Sequence, residues 1–313
     1  MRGSKKVFLG ILVVSLVLPV FFVAAQQTKA VIDVSHNEKA APSLEKLKNE
    51  LEAGGYSVQM ADSEITSSVL SGAQMLFVPA IWTPYTTQEL NAVKTWLDEG
   101  GKAIWVATDS DYGGHDEPST NANVLLGHIG SSLRVEPTSV EDPEVNDGKP
   151  YRVMANAPNP DTELTANVKH VVFHGPTCLF GVKEGNPVAL ETESLENVVW
   201  VMKTSPNGVI TDASLEMPKA HENGQKGSFV MMAVEMYAGA AGSSKIVVSG
   251  EAIFTTYKNM FDTESEHGQP VQGEFLVKNT IAWMSTVEEK KAAGVSIWIT
   301  LAVIAIGYLL KKK

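Results

Sequence analysis

From Ala30 to Val135 short, wholly apolar runs alternate with segments in which apolar side chains return every three or four positions. The runs predict buried strands at Ala30–Ser35, Tyr56–Ala61, Gln74–Ile81, Lys102–Thr108 and Leu133–Val135, because strands covered on both faces lose the polar alternation of half-exposed ones. The periodic segments predict helices between them. Leu44, Leu47 and Leu51 form one apolar stripe that closes at Gly54 and Gly55. Ile65–Leu70 reads as a short helix. Thr86 and Thr87 open another, with Leu90, Val93, Trp96 and Leu97 on one face, Glu89 near its start and Gly100–Gly101 as its stop. Asn121–Ile129 reads as a further helix. Strand and helix in strict alternation with short joints predict a mainly parallel sheet with helices on both faces.

The pattern changes near Glu136. Proline-bearing loops and short strand-like runs follow, at Tyr151–Met154, Val168–Phe173, Val198–Met202 and Phe229–Val234, and helical periodicity nearly vanishes. The earlier pattern returns with strand Lys245–Ser249, a turn at Gly250 leading into a short helix, and the amphipathic helix Glu274–Met284. The chain therefore divides into an α/β first half at 26–135, a β-rich lobe at 136–243 and a closing α/β segment at 244–288. No linker rich in Pro, Ser or Gly separates them, so one ectodomain with two lobes is expected.

The ends add a location. Arg2, Lys5 and Lys6 precede an apolar run from Val7 to Ala25 that ends in small residues, the order of a secretory signal at 1–25. The run is also long enough to span a bilayer if left uncleaved, since about 20 apolar residues suffice. Ala292 to Leu310 is apolar throughout and stops at Lys311, Lys312 and Lys313, which predicts a transmembrane helix at 292–310 with a cytoplasmic lysine tail at 311–313. The intervening part, about 265 residues and long enough for a substantial core, is then expected outside the cell or in a secretory lumen. Six of the 25 basic residues lie in the two terminal segments, leaving 19 against 36 acidic residues, a balance of −17. Such a surface repels phosphate backbones, which argues against nucleic-acid binding. Cys178 is the only cysteine, so no intramolecular disulfide can form.

Candidate chemistry is sparse. Cys178 sits in Gly175–Gly181 (GPTCLFG) with no helix signal after it, which suits a buried small apolar residue better than a nucleophile on a strand-to-helix elbow. Ser110 follows the fourth strand, but Asp109 and Asp111 flank it and would oppose an alkoxide. The loop Asp109–Glu117 holds the densest set of donors: Asp109, Asp111 and His115 could take a metal ion, although Thr120 stands where a calcium hand carries glutamate. A solvated acidic loop is the alternative reading. His36 ends the first strand at the same carboxyl edge, where sheets of this kind bind ligands. His170 and His174, four apart in a strand-like run, would share a face. A ligand-binding set of His36, Trp82, Tyr85, Asp109, Asp111 and Tyr112 is expected there, with aromatic and acidic groups suited to sugar hydroxyls.

Three stretches resemble a known family. Thr83–Thr108 (TPYTTQELNAVKTWLDEGGKAIWVAT), Lys245–Phe254 (KIVVSGEAIF) and Gly273–Met284 (GEFLVKNTIAWM) are similar to the helix, double glycine, strand and closing elements of class I glutamine amidotransferase-like domains of the gliding-motility and intraflagellar-transport type. The order GGKAIWVATDSDYG, GPTCLFG, NPVALE, VVSGEAIF and the closing lysines resemble most the non-catalytic DDOST-type subunit family of oligosaccharyltransferase. The resemblance implies an α/β three-layer sandwich, amidotransferase-like or flavodoxin-like, with a β-rich insertion. It also implies a non-enzymatic accessory subunit serving protein N-glycosylation, with no cofactor. Expected partners are an oligosaccharyltransferase catalytic subunit and, through the C-terminal helix, the lipid bilayer. The chain is shorter than that family and lacks its extra β-domain before the membrane. Two other functions stay open: an auxiliary protein of an ABC permease or surface-layer assembly, as in the gliding-motility relatives, and a metal-dependent hydrolase at the Asp109–Glu117 loop.

Overall fold

The apolar runs become strands and the periodic segments helices in a computed structural model that describes residues 28–211 and 216–286. The expected signal at 1–25 and membrane helix at 292–310 lie outside the described residues. Within them, no helix is long and apolar enough to cross a membrane.

Strands β1 (Lys29–Asp33), β2 (Ser57–Ala61), β3 (Ala73–Val78) and β4 (Ala103–Ala107) alternate with helices α1 (Glu45–Ala53), α2 (Ser67–Leu70) and α3 (Thr87–Asp98). Helix α4 (Glu117–Ile129) follows β4 and starts one turn before the expected Asn121. Pro118 in its first turn lacks only an N–H that no helix start would use, and Glu117 meets the positive end of the dipole. The β-rich stretch supplies β5 (Leu133–Val135), β6 (Ser139–Glu141), β7 (Arg152–Ala155), β8 (Ala157–Pro158), β9 (Val171–His174), β10 (Leu179–Lys183), β11 (Asn186–Ala189), β12 (Val198–Lys203), β13 (Gly208–Thr211), β14 (Lys226–Gly227) and β15 (Val230–Ala238). Strand β16 (Ser243–Ser249) and helix α5 (Gly273–Ser285) complete the described chain.

The main sheet runs β2-β1-β3-β4-β16-β15-β12-β8. Its first five strands are parallel, and β15, β12 and β8 extend it antiparallel. The β-rich stretch is thus continuous with the sheet: β8, β12 and β15 widen it, while β5, β6, β7, β9, β10, β11, β13 and β14 form three small sheets around it. One face of the main sheet packs Ile32, Phe77 and Trp105 against Leu47 and Leu51 of α1, Leu276 of α5 and Phe173 of β9. The other face packs Leu76, Ile104 and Val248 against Val93 and Leu97 of α3 and Leu125 of α4.

Local chemistry fixes the joints. Thr86 and Glu89 form a reciprocal cap at the start of α3: the Thr86 hydroxyl accepts from the Glu89 N–H (3.3 Å) and the Glu89 carboxylate from the Thr86 N–H (2.8 Å). Gly100, at φ +78°, passes so close to Gly242 that a Cβ there would lie 2.6 Å from the Gly242 Cα. The double glycine therefore both turns the chain and admits the strand joint beside it. After β16 the constraint is tighter, because a Cβ on Gly250 would lie 1.8 Å from the Thr177 carbonyl oxygen. That contact presses the segment before β10 onto the carboxyl edge of the sheet.

Candidate functional site

The parallel strands β1, β3, β4 and β16 all end on one edge, and the residues just beyond them build a cavity of about 660 Å³, within the usual range of small-molecule sites. Pro79 and Ala80 come from the turn after β3, Asp109 and Ser110 from the loop after β4, and Glu251 and Ala252 from the turn after β16. The β-rich stretch closes the cavity with Ser139 and Val140 of β6 and with His174–Gly175 at the end of β9. Ser110 N–H donates to the Gly175 carbonyl (3.2 Å), tying these layers together.

Four aromatic rings stand around the opening: Trp82, Tyr112, Tyr151 and Tyr257, all exposed. Tyr151 and Tyr257 meet His174 edge to face, at 5.5 and 5.2 Å between ring centres. His174 Nδ1 is buried and has no hydrogen-bond partner. Burial, with the charges of Arg152 and Lys258, lowers its pKa to about 4, so the ring is neutral near pH 7. Asp109 is raised to about 7, chiefly by burial against the opposing Ser110 N–H. Burial and then the Asp109 charge hold the Glu251 carboxyl well above the ordinary glutamate range. Two carboxyl groups that resist ionising together retain a proton on the pair in neutral solution.

The expected residues separate into two sets. Trp82, Asp109, Tyr112 and His115 line the cavity, as does Ser110. His115 is exposed, packs edge to face with Trp82 (5.8 Å) and lies 3.6 Å from Glu117. His36, Tyr85 and Asp111 lie outside its lining. His36 Nδ1 contacts Asp33 at 2.8 Å, its Nε2 contacts Glu89 at 3.3 Å, and Tyr85 stacks on its ring at 3.9 Å while donating its hydroxyl to Asp33. Burial opposes protonation of His36, yet these two carboxylates raise its pKa above the usual histidine value. The same network, and burial first, drives the Tyr85 hydroxyl well above its ordinary pKa. Asp111 is fully buried and accepts from the Ser139 hydroxyl (2.7 Å). Among the described residues no three His, Cys, Asp or Glu side chains are arranged to hold a metal ion. His170 precedes β9, partly exposed.

Cys178 lies elsewhere, fully buried at the start of β10, with its sulfur 3.9 Å from His221 Nδ1. That imidazole sits between two carboxylates, Glu136 at 2.8 Å and Glu191 at 3.1 Å. Burial opposes its protonation, but contacts with Cys178, Glu136 and Glu191 push it up to about 12. A histidine that stays protonated cannot act as a base, and burial holds the Cys178 thiol at about 11. Glu251 and His221 escaped the sequence reading. Glu251 carried a signal all the same, since it directly follows the strand-ending Ser249–Gly250 turn.

With a mainly parallel sheet, helices on both faces and a cavity at the carboxyl edge, the molecule is an α/β protein of mixed-sheet type. No family model matches the chain, and no curated protein matches it by sequence. Among solved structures, the N-terminal domain of mmIFT52 is similar over 84% of this chain and 99% of that one, with a TM-score of 0.59 and 16% identity. The fold is therefore the one found in that domain. Lower similarity is found to a ThuA-like protein from Bacteroides uniformis (TM-score 0.45, 13% identity, covering 85% of this chain and 95% of that one). A GMP synthase component from Thermoplasma acidophilum scores 0.41 at 10% identity, covering 83% and 95%.

Proposed function

We propose that the chain is a non-catalytic accessory subunit, tethered to a membrane by its C-terminal apolar segment with the described domain outside the cytoplasm. In this reading it belongs to an oligosaccharyltransferase or related envelope complex and works as a recognition platform, with the carboxyl-edge cavity as its contact site. One observation carries the non-catalytic part: the only thiol is buried at β10, away from the cavity, beside a histidine that cannot take its proton. Ser110, one of several hydroxyls that line the cavity, adjoins Asp109, which when ionised disfavours an alkoxide. The sequence motifs shared with the DDOST-type family and the terminal apolar segments support the rest.

Purification of the intact chain in mild detergent tests the proposal. A co-purifying glycosyltransferase catalytic subunit supports it. An ATPase–permease pair replaces it with the transport reading, and turnover of a hydrolysable substrate by the purified protein, lost on replacing Asp109, Asp111 and His115 with alanine, replaces it with the hydrolase reading.

A further inference from the structure

Burying a carboxylate is costly unless donors or a cation answer it. Elsewhere in this fold they do. Asp33 and Glu89 share His36, Glu136 holds His221 and two backbone N–H groups, and Asp147 takes Ser265 and His267. Asp142 accepts from Ser205 and two backbone N–H groups, and Glu235 from Ser131 and Ser132. Asp109 and Glu251 are different. Among the described residues each accepts one hydrogen bond, from the N–H of the next residue in the chain, at 2.8 and 2.9 Å. No cation among the described residues pairs with either: Lys39 lines the cavity, exposed and without an ion pair to them. Two imidazoles also line the cavity: His174 is neutral at pH 7, and His115 lies against Glu117 and makes no ion pair with Asp109 or Glu251. This uncompensated pair faces the cavity of about 660 Å³ at the carboxyl edge, walled by aromatic rings whose faces attract cations.

The geometry points to a ligand-borne ammonium group as the missing partner: the cavity binds an organic amine, its cationic nitrogen seated between Asp109 and Glu251 and its body against Trp82, Tyr151 and Tyr257. The assignment rests on the reading of this cavity as a recognition site and names what it recognises. On binding, the ammonium takes the place of the proton held by the pair, which passes to buffer. Anionic ligands are excluded by the same charges. A neutral polyol would leave the pair as it is and gain only ordinary hydrogen bonds.

The test uses the full chain in lipid nanodiscs at pH 7 and three probes with the same six-carbon polyol chain: glucamine, which ends in an ammonium, sorbitol, which ends in a hydroxyl, and gluconate, which ends in a carboxylate. Glucamine is expected to bind at least tenfold more tightly than sorbitol, and gluconate not at all. Its calorimetric heat should vary with the ionisation heat of the buffer, reporting proton release. The double variant Asp109→Asn, Glu251→Gln keeps the shape and should erase the difference between glucamine and sorbitol. Nα-acetyl-lysine methylamide, whose ε-ammonium is free, is added as a fourth probe and separates the sources: tighter binding than glucamine assigns the ammonium to a partner protein's lysine, weaker binding to a free amine. Equal affinity for glucamine and sorbitol, or binding of neither, overturns the assignment. A partner that still co-purifies in that event leaves the accessory-subunit reading standing, so the two fail separately.

Discussion

Replacing Asp109 by asparagine should stabilise the protein above neutral pH, an unusual outcome for a change at a partly buried polar position. In the folded chain this carboxyl titrates at about 7, against an ordinary value of 3.8. Between those values the native state keeps a proton that the unfolded chain has already released. Stability therefore falls as pH rises from about 4 to 7 and stays at the lower level beyond. A displacement from 3.8 to about 7 corresponds to roughly 4 kcal/mol, an upper limit because water entry and relaxation around the cavity soften it. Asparagine keeps the acceptor for the Ser110 N–H and removes the charge. The variant and the parent should match near pH 4 and diverge as pH rises, the variant gaining about 1–4 kcal/mol by pH 8. Melting temperatures of the full chain in nanodiscs at pH 4.5, 6 and 8 read this directly, at roughly 2–4 °C per kcal/mol for a domain of this size. A variant no more stable than the parent at pH 8, or a gap that does not widen with pH, refutes the account of an unpaired buried acid pair.

Three further outcomes follow from the packing. His221→Gln leaves Glu136 and Glu191 facing each other without a cation and should cost about 3–5 kcal/mol in urea unfolding. Because this histidine is raised to about 12, its contribution is full below 6.5 and declines as pH climbs toward 12, so the variant should lose more at pH 6 than at pH 10. Cys178 should resist maleimide in the native protein at pH 7.5 and react once urea unfolds the chain; rapid native labelling would contradict its burial and its thiol at about 11. Gly250→Ala should cost about 3 kcal/mol or more, or prevent folding, since its methyl carbon meets the Thr177 carbonyl; wild-type stability would show that the turn can yield.

Much of the scaffold was readable along the chain because its signals are local. Runs such as Ala103–Ala107, the reciprocal Thr86–Glu89 cap and the double glycine each declare an element within a few residues. Trp82, Asp109 and Tyr112 emerge from following strand ends to their shared edge. What escaped depends on distance. Glu251 feels the charge of Asp109 across 142 positions of sequence, and His221 meets Glu136 across 85, so no periodicity announces either pair. His36 and Tyr85 were placed at the correct edge, but only the packing of Asp33 and Glu89 around them turns both inward. Likewise β12 and β15 read as strands, while their attachment to β16 needed the sheet itself.

Lys245 fixes where the described chain leaves the sheet. Its ammonium, at the beginning of β16, binds the carbonyl oxygens of Trp283 and Thr286 at 2.6 Å each and so fastens the last turn of α5 to the amino edge of the sheet. Lys29 starts β1 at the same edge. Asp109 and Glu251 lie at the other end of strands about 17 Å long. Tethering through the C-terminal apolar segment would then turn the mouth of the domain outward, like a cup held by its base. Under the proposed tether, the proposed amine would then have a shorter route from solution, or from a lysine on a neighbouring subunit, than from the membrane surface.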